Sequence, residues 1–251
     1  MIPRSHPRYH SLIKREKIIE GFKNGIVAHA GLIAHGRGEA FDYLIGERSE
    51  DFAILAEKAA VAKMYLAKNP VISVNGNVTA LAADKVVSLA KLLNAKIEVN
   101  LFYRTEERIR RIVDEFRKYG VQILGEKPDS LIPGLEHSRA LCSSEGIYSA
   151  DVVLVPLEDG DRAQALKNMG KFVITIDLNP LSRTAQTADI TIVDELTRAL
   201  ENMIEFARKI DHLSATKILS KYRNGEILSQ SLLHINRRLK EMAATLQTPQ
   251  A

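Results

Sequence analysis

The chain has 251 residues, of which 45% are hydrophobic and 26% charged, and this composition can build a hydrophobic core. Lys and Arg exceed Asp and Glu by 35 − 31 = 4. No apolar run approaches membrane-spanning length, the first ten residues do not resemble a signal peptide, and the single cysteine excludes an internal disulfide and a cysteine-based zinc cluster. We therefore expect a cytoplasmic protein without a membrane partner, and the small positive excess, which lacks like-charge tracts, favours a pocket for small polyanions over nucleic acid.

The N-terminal part of the chain is predicted to be helical after a short extended arm. Two prolines keep residues 2–10 extended, Ser11 caps a first helix, and helical apolar spacing runs over residues 39–68. Gly46 divides the second pattern into two helices, with Ser49 as the cap of the later one. The alanine-rich face of that later helix favours close packing, either on the core or on a partner chain.

The stretch from Gly31 to Glu47, GLIAHGRGEAFDYLIGE, is the centre of the predicted site. Its first glycines precede a helix start predicted at Glu39, where free backbone N–H groups and the helix dipole favour an anion. Arg37 adds a planar guanidinium that can grip phosphate or carboxylate at two points. The alternative is a flexible glycine turn with a solvated arginine. The stretch matches neither a Walker loop nor the dinucleotide fingerprint, which needs a third glycine.

After Pro70 short apolar strands alternate with helices. Repeated strand–helix–strand units predict an α/β fold with a Rossmann-like, doubly wound, mostly parallel sheet, followed by C-terminal helices that break at Asn224. We divide the chain into 1–69, an arm and helices that pack on the core, and 70–251, a nucleotide-binding core with C-terminal helices. The six predicted strands cover residues 71–74, 96–102, 121–124, 151–157, 171–178 and 189–193.

Polar residues follow several predicted strands, and ligands bind beyond the carboxyl ends of strands in parallel sheets. The richest segment is IDLNPLSRTA (Ile176 to Ala185), whose carboxylate, amide, hydroxyl and guanidinium groups suit a nucleotide, although an ordinary turn is the alternative. His137 could accept a proton from an attacking amine, but a lone histidine in such a segment is more often structural. Further polar strand ends carry Asn75, Asn77, Arg104 and Glu195.

Four blocks together resemble the archaeal 4-phosphopantoate–β-alanine ligases, also called phosphopantothenate synthetases. They are IPRSHPRYHSL (Ile2 to Leu12), KREKIIEG (Lys14 to Gly21), the glycine-rich stretch and IDLNPLSRTA. The likeness covers nearly the whole chain and is least distinctive beyond about Asn236. It implies an ATP-dependent ligase of coenzyme A synthesis that joins 4-phosphopantoate to β-alanine through an acyl-adenylate, releasing AMP and pyrophosphate.

The resemblance also implies roles for individual residues. It makes Arg37 and His137 the catalytic candidates, with no protein nucleophile, and it leads us to expect Mg²⁺ with ATP, bound by ligands that the sequence does not identify. The family favours Asn where this chain has Glu195, so a backbone contact is the one expected there. Weaker candidates for the substrate side are Asn75, Asn77 and Arg104. The ATP-binding set is Arg15, Arg37, Asp177, Leu178, Asn179, Arg183, Thr184, Glu195 and Leu196.

The two parts of the predicted site are far apart in sequence. For Arg37 and Arg183 to reach one triphosphate, the N-terminal helices must fold over the carboxyl edge of the sheet, or a partner subunit must supply them. Because of the alanine-rich helix we expect a homodimer. Two alternatives to the ligase stay open: a non-catalytic nucleotide-binding regulator that uses the same loops, and an RNA-binding α/β protein.

Overall fold

The computed structural model describes residues 2–247, and a five-stranded sheet lies at its centre. All neighbouring strands are parallel, in the order β2-β1-β5-β6-β7. The three inner strands are buried on both faces because helices cover both, as parallel sheets require. The predicted Rossmann-like α/β class is thereby confirmed. The strands are Pro70–Val74 (β1), Lys96–Val99 (β2), Val152–Leu154 (β5), Phe172–Ile176 (β6) and Ile190–Ile192 (β7), and a separate antiparallel pair joins Ser130–Leu131 (β3) to Leu141–Cys142 (β4).

Helices precede, connect and follow the strands. Most connecting helices begin at a side chain that accepts a backbone N–H of the first turn, such as Thr105, Asp159 and Glu195. The helices are Tyr9–Lys23 (α1), His29–Ile45 (α2), Asp51–Tyr65 (α3), Gly76–Leu92 (α4), Glu106–Arg117 (α5), Gly160–Asn168 (α6), Arg183–Thr187 (α7), Leu196–Ala207 (α8), His212–Lys221 (α9) and Asn224–Gln247 (α10).

The strand order reverses between β1 and β5. The chain runs from β1 outward to β2 and then returns to β5 on the other side of β1, so the connections diverge at this point of the carboxyl edge. The Asn75 amide bridges the divergence, because its Nδ2 donates to the carbonyl oxygens of Pro156 (3.2 Å) and Leu157 (3.1 Å). Open parallel sheets bind ligands at such a reversal.

The N-terminal helices share one hydrophobic core with the sheet. Ile18, Ile45 and Ala56 pack in the same cluster as Ile72 and Ile174. The alanine-rich face of α3 is fully buried within the chain, where α3 packs on α8, α9 and β7. It therefore offers no free surface, and the homodimer stays a prediction without the support of this helix. The division of the chain at residue 70 likewise stays a prediction.

Several local predictions were wrong at the N-terminal side. Helix α2 begins at His29 rather than Glu39, so Gly31, Gly36 and Gly38 lie inside a helix and not in a loop before it. Helix α1 begins ahead of Ser11, which instead donates its hydroxyl to Glu39. Ser49 does not cap α3 either, because its hydroxyl donates to Asp194. Distant carboxylates thus compete successfully for hydroxyls that local spacing assigns to caps.

The strand predicted at residues 121–124 is reduced to a single parallel bridge between Glu98 and Leu124. Gly120 and Gly125 flank it with φ angles of +70° and +89°, and both turn the chain sharply. Between the two turns, only Leu124 lies in register with the neighbouring strand.

Candidate active site

A cleft of about 480 Å³ opens at the carboxyl edge of the sheet. Residues that follow all five parallel strands form its floor, and α1 and α2 form its wall. The N-terminal helices therefore fold over the sheet within one chain, as the predicted site requires. Of the residues singled out from the sequence, the cleft is lined by Arg37, Asn75, Asn77, Leu178, Glu195 and Leu196.

Glu195 and Lys14 join the wall to the floor at the β7 end. The Lys14 Nζ atom donates to Glu195 Oε2 at 2.6 Å, and the same oxygen caps α8 by accepting the Arg198 backbone N–H. Burial alone would raise the pKa of Glu195, but Lys14 and the Thr197 hydroxyl hold it below its usual range. The Glu195 side chain is thus a structural anion whose charge Lys14 compensates, in keeping with the expected backbone contact there.

Glu39 gathers three donors from α1 and the segment before it. Arg8, Ser11 and Arg15 all donate to its carboxylate, Arg15 through two bonds of 3.0 and 2.8 Å. Burial opposes ionisation, but these donors together lower the pKa of Glu39 to about 2. Arg15, assigned to ATP by resemblance, is therefore held by Glu39 and does not line the cleft.

Arg37 stands on the exposed side of α2 and faces the loop after β6. It forms no hydrogen bond or ion pair within residues 2–247 and lines the cleft. Burial raises the pKa of Asp177, while Ser182, Asn179 and the positive charge of Arg37 oppose that rise. Arg37 is thus a free guanidinium close to the predicted nucleotide loop, available for an incoming anion.

His35 also faces the cleft, one turn before Glu39 on α2. Its burial lowers its pKa from 6.5, although Glu39 and Glu195 act in the opposite direction. The ring is therefore mainly neutral at pH 7 and can accept a proton. Sequence reasoning missed this residue as an acid–base candidate, because its place in a glycine-rich stretch gave no sign of burial.

Arg198 links α2 to the loop after β7. Its guanidinium donates to Asp42 at 3.0 and 2.6 Å and to Asp194 at 3.0 and 2.6 Å. Beneath Asp194 lies Glu57 of α3, whose side chain is fully buried. Burial and the charge of Asp194 strongly raise the pKa of Glu57, so this carboxyl stays protonated at neutral pH.

The other end of the cleft contains a buried cluster of arginines and acids. Glu158 accepts a hydrogen bond from Arg162 and forms an ion pair with Arg139, which also pairs with Asp159 at 3.0 Å. Burial would raise the pKa of Glu158, but the two guanidinium groups hold it below its usual range. Arg108 of α5 lines the same end. The local sequence did not predict that Arg108 and Arg139 lie close together, because they are 31 positions apart in the chain.

The remaining predicted residues lie outside the cleft lining. Arg104 donates to the carbonyl oxygens of Gly125 and Glu126, and His137 accepts the Arg139 backbone N–H and packs on the Phe102 ring. Arg183 pairs with the exposed Asp161. Their functional roles stay predictions. Asn179 and Thr184 shape the loop after β6, the former by accepting the Leu181 N–H and the latter by donating to the Glu158 carbonyl.

No group of His, Cys, Asp or Glu side chains within residues 2–247 is arranged to hold a metal ion. In the same part of the chain, no helix combines the length and apolar character needed to cross a bilayer.

Comparison with known sequences identifies the family. A sequence model of the phosphopantothenate/pantothenate synthetase family matches residues 52–238. The chain belongs to this family. The match covers most of α3, the α/β core and most of the C-terminal helices.

Curated relatives of the phosphopantothenate synthetase family extend the match to nearly the full length. A 4-phosphopantoate–β-alanine ligase from Thermococcus kodakarensis is 61% identical over 96% of this chain and 95% of its own length. Proteins of the same name are 57% identical in Methanosarcina mazei, over 97% of both chains, and 50% identical in Methanospirillum hungatei, over 95% of this chain and 98% of that protein. The N-terminal helices that wall the cleft are therefore part of what these relatives share.

Proposed function

We propose that this protein is an ATP-dependent 4-phosphopantoate–β-alanine ligase, which makes 4′-phosphopantothenate for coenzyme A synthesis. The observation that carries the proposal is the 61% identity over nearly the whole length to a protein of that name. A ligase of this kind must hold two anionic substrates and an amino acid side by side. The cleft suits that task, because cationic side chains lie at both of its ends.

The proposed reaction proceeds in two steps. A carboxylate oxygen of 4-phosphopantoate attacks the α-phosphorus of ATP, and pyrophosphate leaves with the electrons of the broken P–O bond. The amine nitrogen of β-alanine then attacks the acyl carbon, AMP leaves, and the nitrogen gives up a proton. Because no bond to the protein forms, catalysis consists of positioning and of stabilising charge on the phosphate oxygens.

Two residues have the clearest proposed roles. Arg37 carries an uncompensated charge beside the loop after β6, so it fits the polyphosphate of ATP. His35 fits the removal of the proton from the β-alanine amine, because it lines the cleft and its lowered pKa keeps it neutral. His137 was the earlier candidate for that step, but it lies outside the cleft lining. Mg²⁺ enters in this proposal with its nucleotide, as the MgATP substrate.

The decisive experiment is to incubate the protein with ATP and Mg²⁺, adding 4-phosphopantoate and β-alanine singly and together, and to measure AMP, ADP and the amide product. We expect AMP and 4′-phosphopantothenate in equal amounts when both are present. ADP and phosphate as the products would contradict the acyl-adenylate. Nucleotide binding without any turnover would favour a regulatory protein over a ligase.

The proposal extends to the assembly of the protein and to its place in the cell. We expect a homodimer, which sedimentation equilibrium would test. A reaction that consumes ATP and a phosphorylated hydroxy acid also favours the cytoplasm.

A further inference from the structure

The half of the cleft beside β1, β2 and β5 contains a positively charged side chain, Arg108, that is not among the residues proposed to bind ATP. Arg108 lines it and donates to the carbonyl oxygen of Ile26 at 3.0 Å and to that of Tyr103 at 2.5 Å. Within residues 2–247 it forms no ion pair. Because only neutral carbonyl groups accept from it, its full charge remains available to the cleft.

A second guanidinium faces the same space. Arg139 is 8% exposed and pairs with Glu158 and Asp159. Glu158 also pairs with Arg162, and Asp159 also accepts the Arg162 backbone N–H at the start of α6. The two acids balance Arg139 and Arg162, so the cluster has no negative charge left for Arg108. Burial, and next the charge of Arg139, lower the pKa of Arg108, which indicates that the two guanidinium groups repel each other. An anion between them would relieve that repulsion.

Backbone donors adjoin Arg108 at the start of α4. Gly76 and Asn77 line the cleft, and within the described chain their backbone N–H groups have no acceptor, since the Asn75 side chain accepts only from Val78. A Cβ on Gly76 would lie 2.3 Å from the Ile26 carbonyl oxygen and 2.9 Å from Arg108 Nη2. Gly76 thus lets the guanidinium lie against the end of this 17-residue helix, where the dipole favours an anion.

We propose that Arg108, Arg139 and the Gly76–Asn77 backbone form the subsite for the phosphate monoester of 4-phosphopantoate. The inference rests on the proposed ligase function and adds which end of the cleft holds that group. Phosphate oxygens accept from backbone N–H groups and bind guanidinium groups through two bonds, so the donor set matches the group. With the phosphate held beside β1 and β5, the carboxylate of the same substrate points toward Arg37 and the loop after β6, where adenylation is proposed.

The test compares Arg108→Met with Arg111→Met. Both arginines lie on α5 and both anchor the connection between α1 and α2, Arg108 through Ile26 and Arg111 through the Asn24 carbonyl at 2.8 Å. Arg111 does not line the cleft, so its variant controls for loss of the anchoring bond. Calorimetry measures binding of 4-phosphopantoate and of unphosphorylated pantoate to each protein, with and without AMP, and steady-state assays give KM for ATP.

We expect Arg108→Met to weaken binding of 4-phosphopantoate by about 10- to 100-fold, the effect of losing hydrogen bonds to a charged group. Binding of pantoate and KM for ATP should change by less than about threefold, and Arg111→Met should leave all three values near those of the wild type. The preference for the phosphorylated acid therefore falls in one variant only.

Three results would overturn the subsite. They are an equal loss for both acids, a rise in KM for ATP without loss of 4-phosphopantoate binding, and the same losses in Arg111→Met. If Arg108→Met does not fold, Arg108→Lys replaces it, and unchanged affinity for 4-phosphopantoate in that variant would count against the proposal. Turnover by the wild type is judged separately, since absence of AMP formation would refute the ligase and not the phosphate subsite.

Discussion

The arginines around the cleft differ in how far their charge is already compensated. Arg15 and Arg198 donate to carboxylates, whereas Arg37 and Arg108 form no ion pair within residues 2–247. A guanidinium without an acidic partner can bind an incoming anion without first breaking an ion pair. We therefore expect Arg37 and Arg108 to contact substrate phosphates, and in the proposed subsite the ion-paired Arg139 adds a second guanidinium beside Arg108.

Arg37→Lys keeps the charge but removes the planar fork. We expect kcat/KM to fall by about 10- to 100-fold while the far-ultraviolet circular dichroism stays that of the wild type, because a point charge cannot replace two-point contact with phosphate. Arg48→Lys is the control, since Arg48 is exposed and pairs with Glu50 outside the cleft. Equal kinetics for the two variants would remove Arg37 from the site.

Glu57 is a carboxyl group whose ionisation opposes folding. Its side chain is fully buried against Asp194, and burial and that negative charge raise its pKa far above the ordinary 4.5. The folded protein therefore keeps a proton on Glu57 that the unfolded chain releases above about pH 4.5. A group of this kind stabilises the fold less and less as the pH rises from that value toward its folded-state pKa.

Glu57→Gln keeps the shape and a donor toward Asp194 but cannot ionise. As the pH rises from 5 to 8, the wild type should lose stability relative to this variant. The free energy of unfolding of the variant minus that of the wild type should increase by at most about 1.4 kcal/mol per pH unit. Urea unfolding at several pH values measures the difference. Glu205→Gln, on an exposed part of α8, controls for the loss of one carboxylate. Parallel curves for Glu57→Gln and the wild type would mean that Glu57 is ionised in the fold.

At the scale of the element, helix α2 needs a glycine at position 31 for close packing and not for a loop. Gly31 lies where α2 crosses α4, and a Cβ there would lie 2.3 Å from Asn77 Oδ1 and 2.8 Å from a Val27 methyl. The Asn77 amide donates to the Gly31 carbonyl at 2.8 Å. Gly36 is on the same helix, and its Cβ would meet no atom within 4 Å.

The two glycines make a matched pair for mutation to alanine. Gly31→Ala should lower the free energy of unfolding by roughly 1–3 kcal/mol and reduce activity, because the two helices that border the cleft must separate. Gly36→Ala should be neutral or raise it by up to about 1 kcal/mol, since alanine favours the helix. Thermal and urea unfolding measure both. Similar effects at the two positions would contradict the close approach of α2 and α4.

For the whole molecule, the cleft exists only because the first two helices close over a sheet that begins at residue 70. Lys14 reaches Glu195 and Asp42 reaches Arg198, so α1 and α2 are each tied to the start of α8. A ligand in the cleft therefore contacts parts of the chain that are far apart in sequence.

Binding of ATP alone should slow hydrogen exchange in these distant parts together. We expect protection in α1, α2 and the loop after β6, but not in α9, which lies outside the cleft lining. Mass spectrometry of peptides from the exchanged protein gives the measurement. Protection confined to the loop after β6 and the start of α8 would show that the N-terminal helices take no part in nucleotide binding.

The sequence by itself determined the parallel sheet and the family, because both are written in local patterns. Short apolar strands between capped helices suffice for the sheet class, and blocks such as IDLNPLSRTA suffice for the likeness. It also put forward Arg37, Asn75 and Asn77 as candidates, and these three residues line the cleft, although their roles stay predictions. The predictions of a strand at residues 121–124 and of a helix start at Glu39 were wrong, because glycine conformation and tertiary contacts outweighed the spacing of apolar residues.

Only the tertiary structure decided which side chains share the cleft. His35 lines the cleft whereas His137 does not, and Arg108 lies beside Arg139, because folding brings together residues that no local spacing relates. Burial, ion pairing and hence pKa depend on neighbours in space, as the contrast between Arg15, held by Glu39, and the unpaired Arg37 demonstrates. Local patterns encode elements, whereas the charge of a site is a sum over contacts that exist only once the elements have packed.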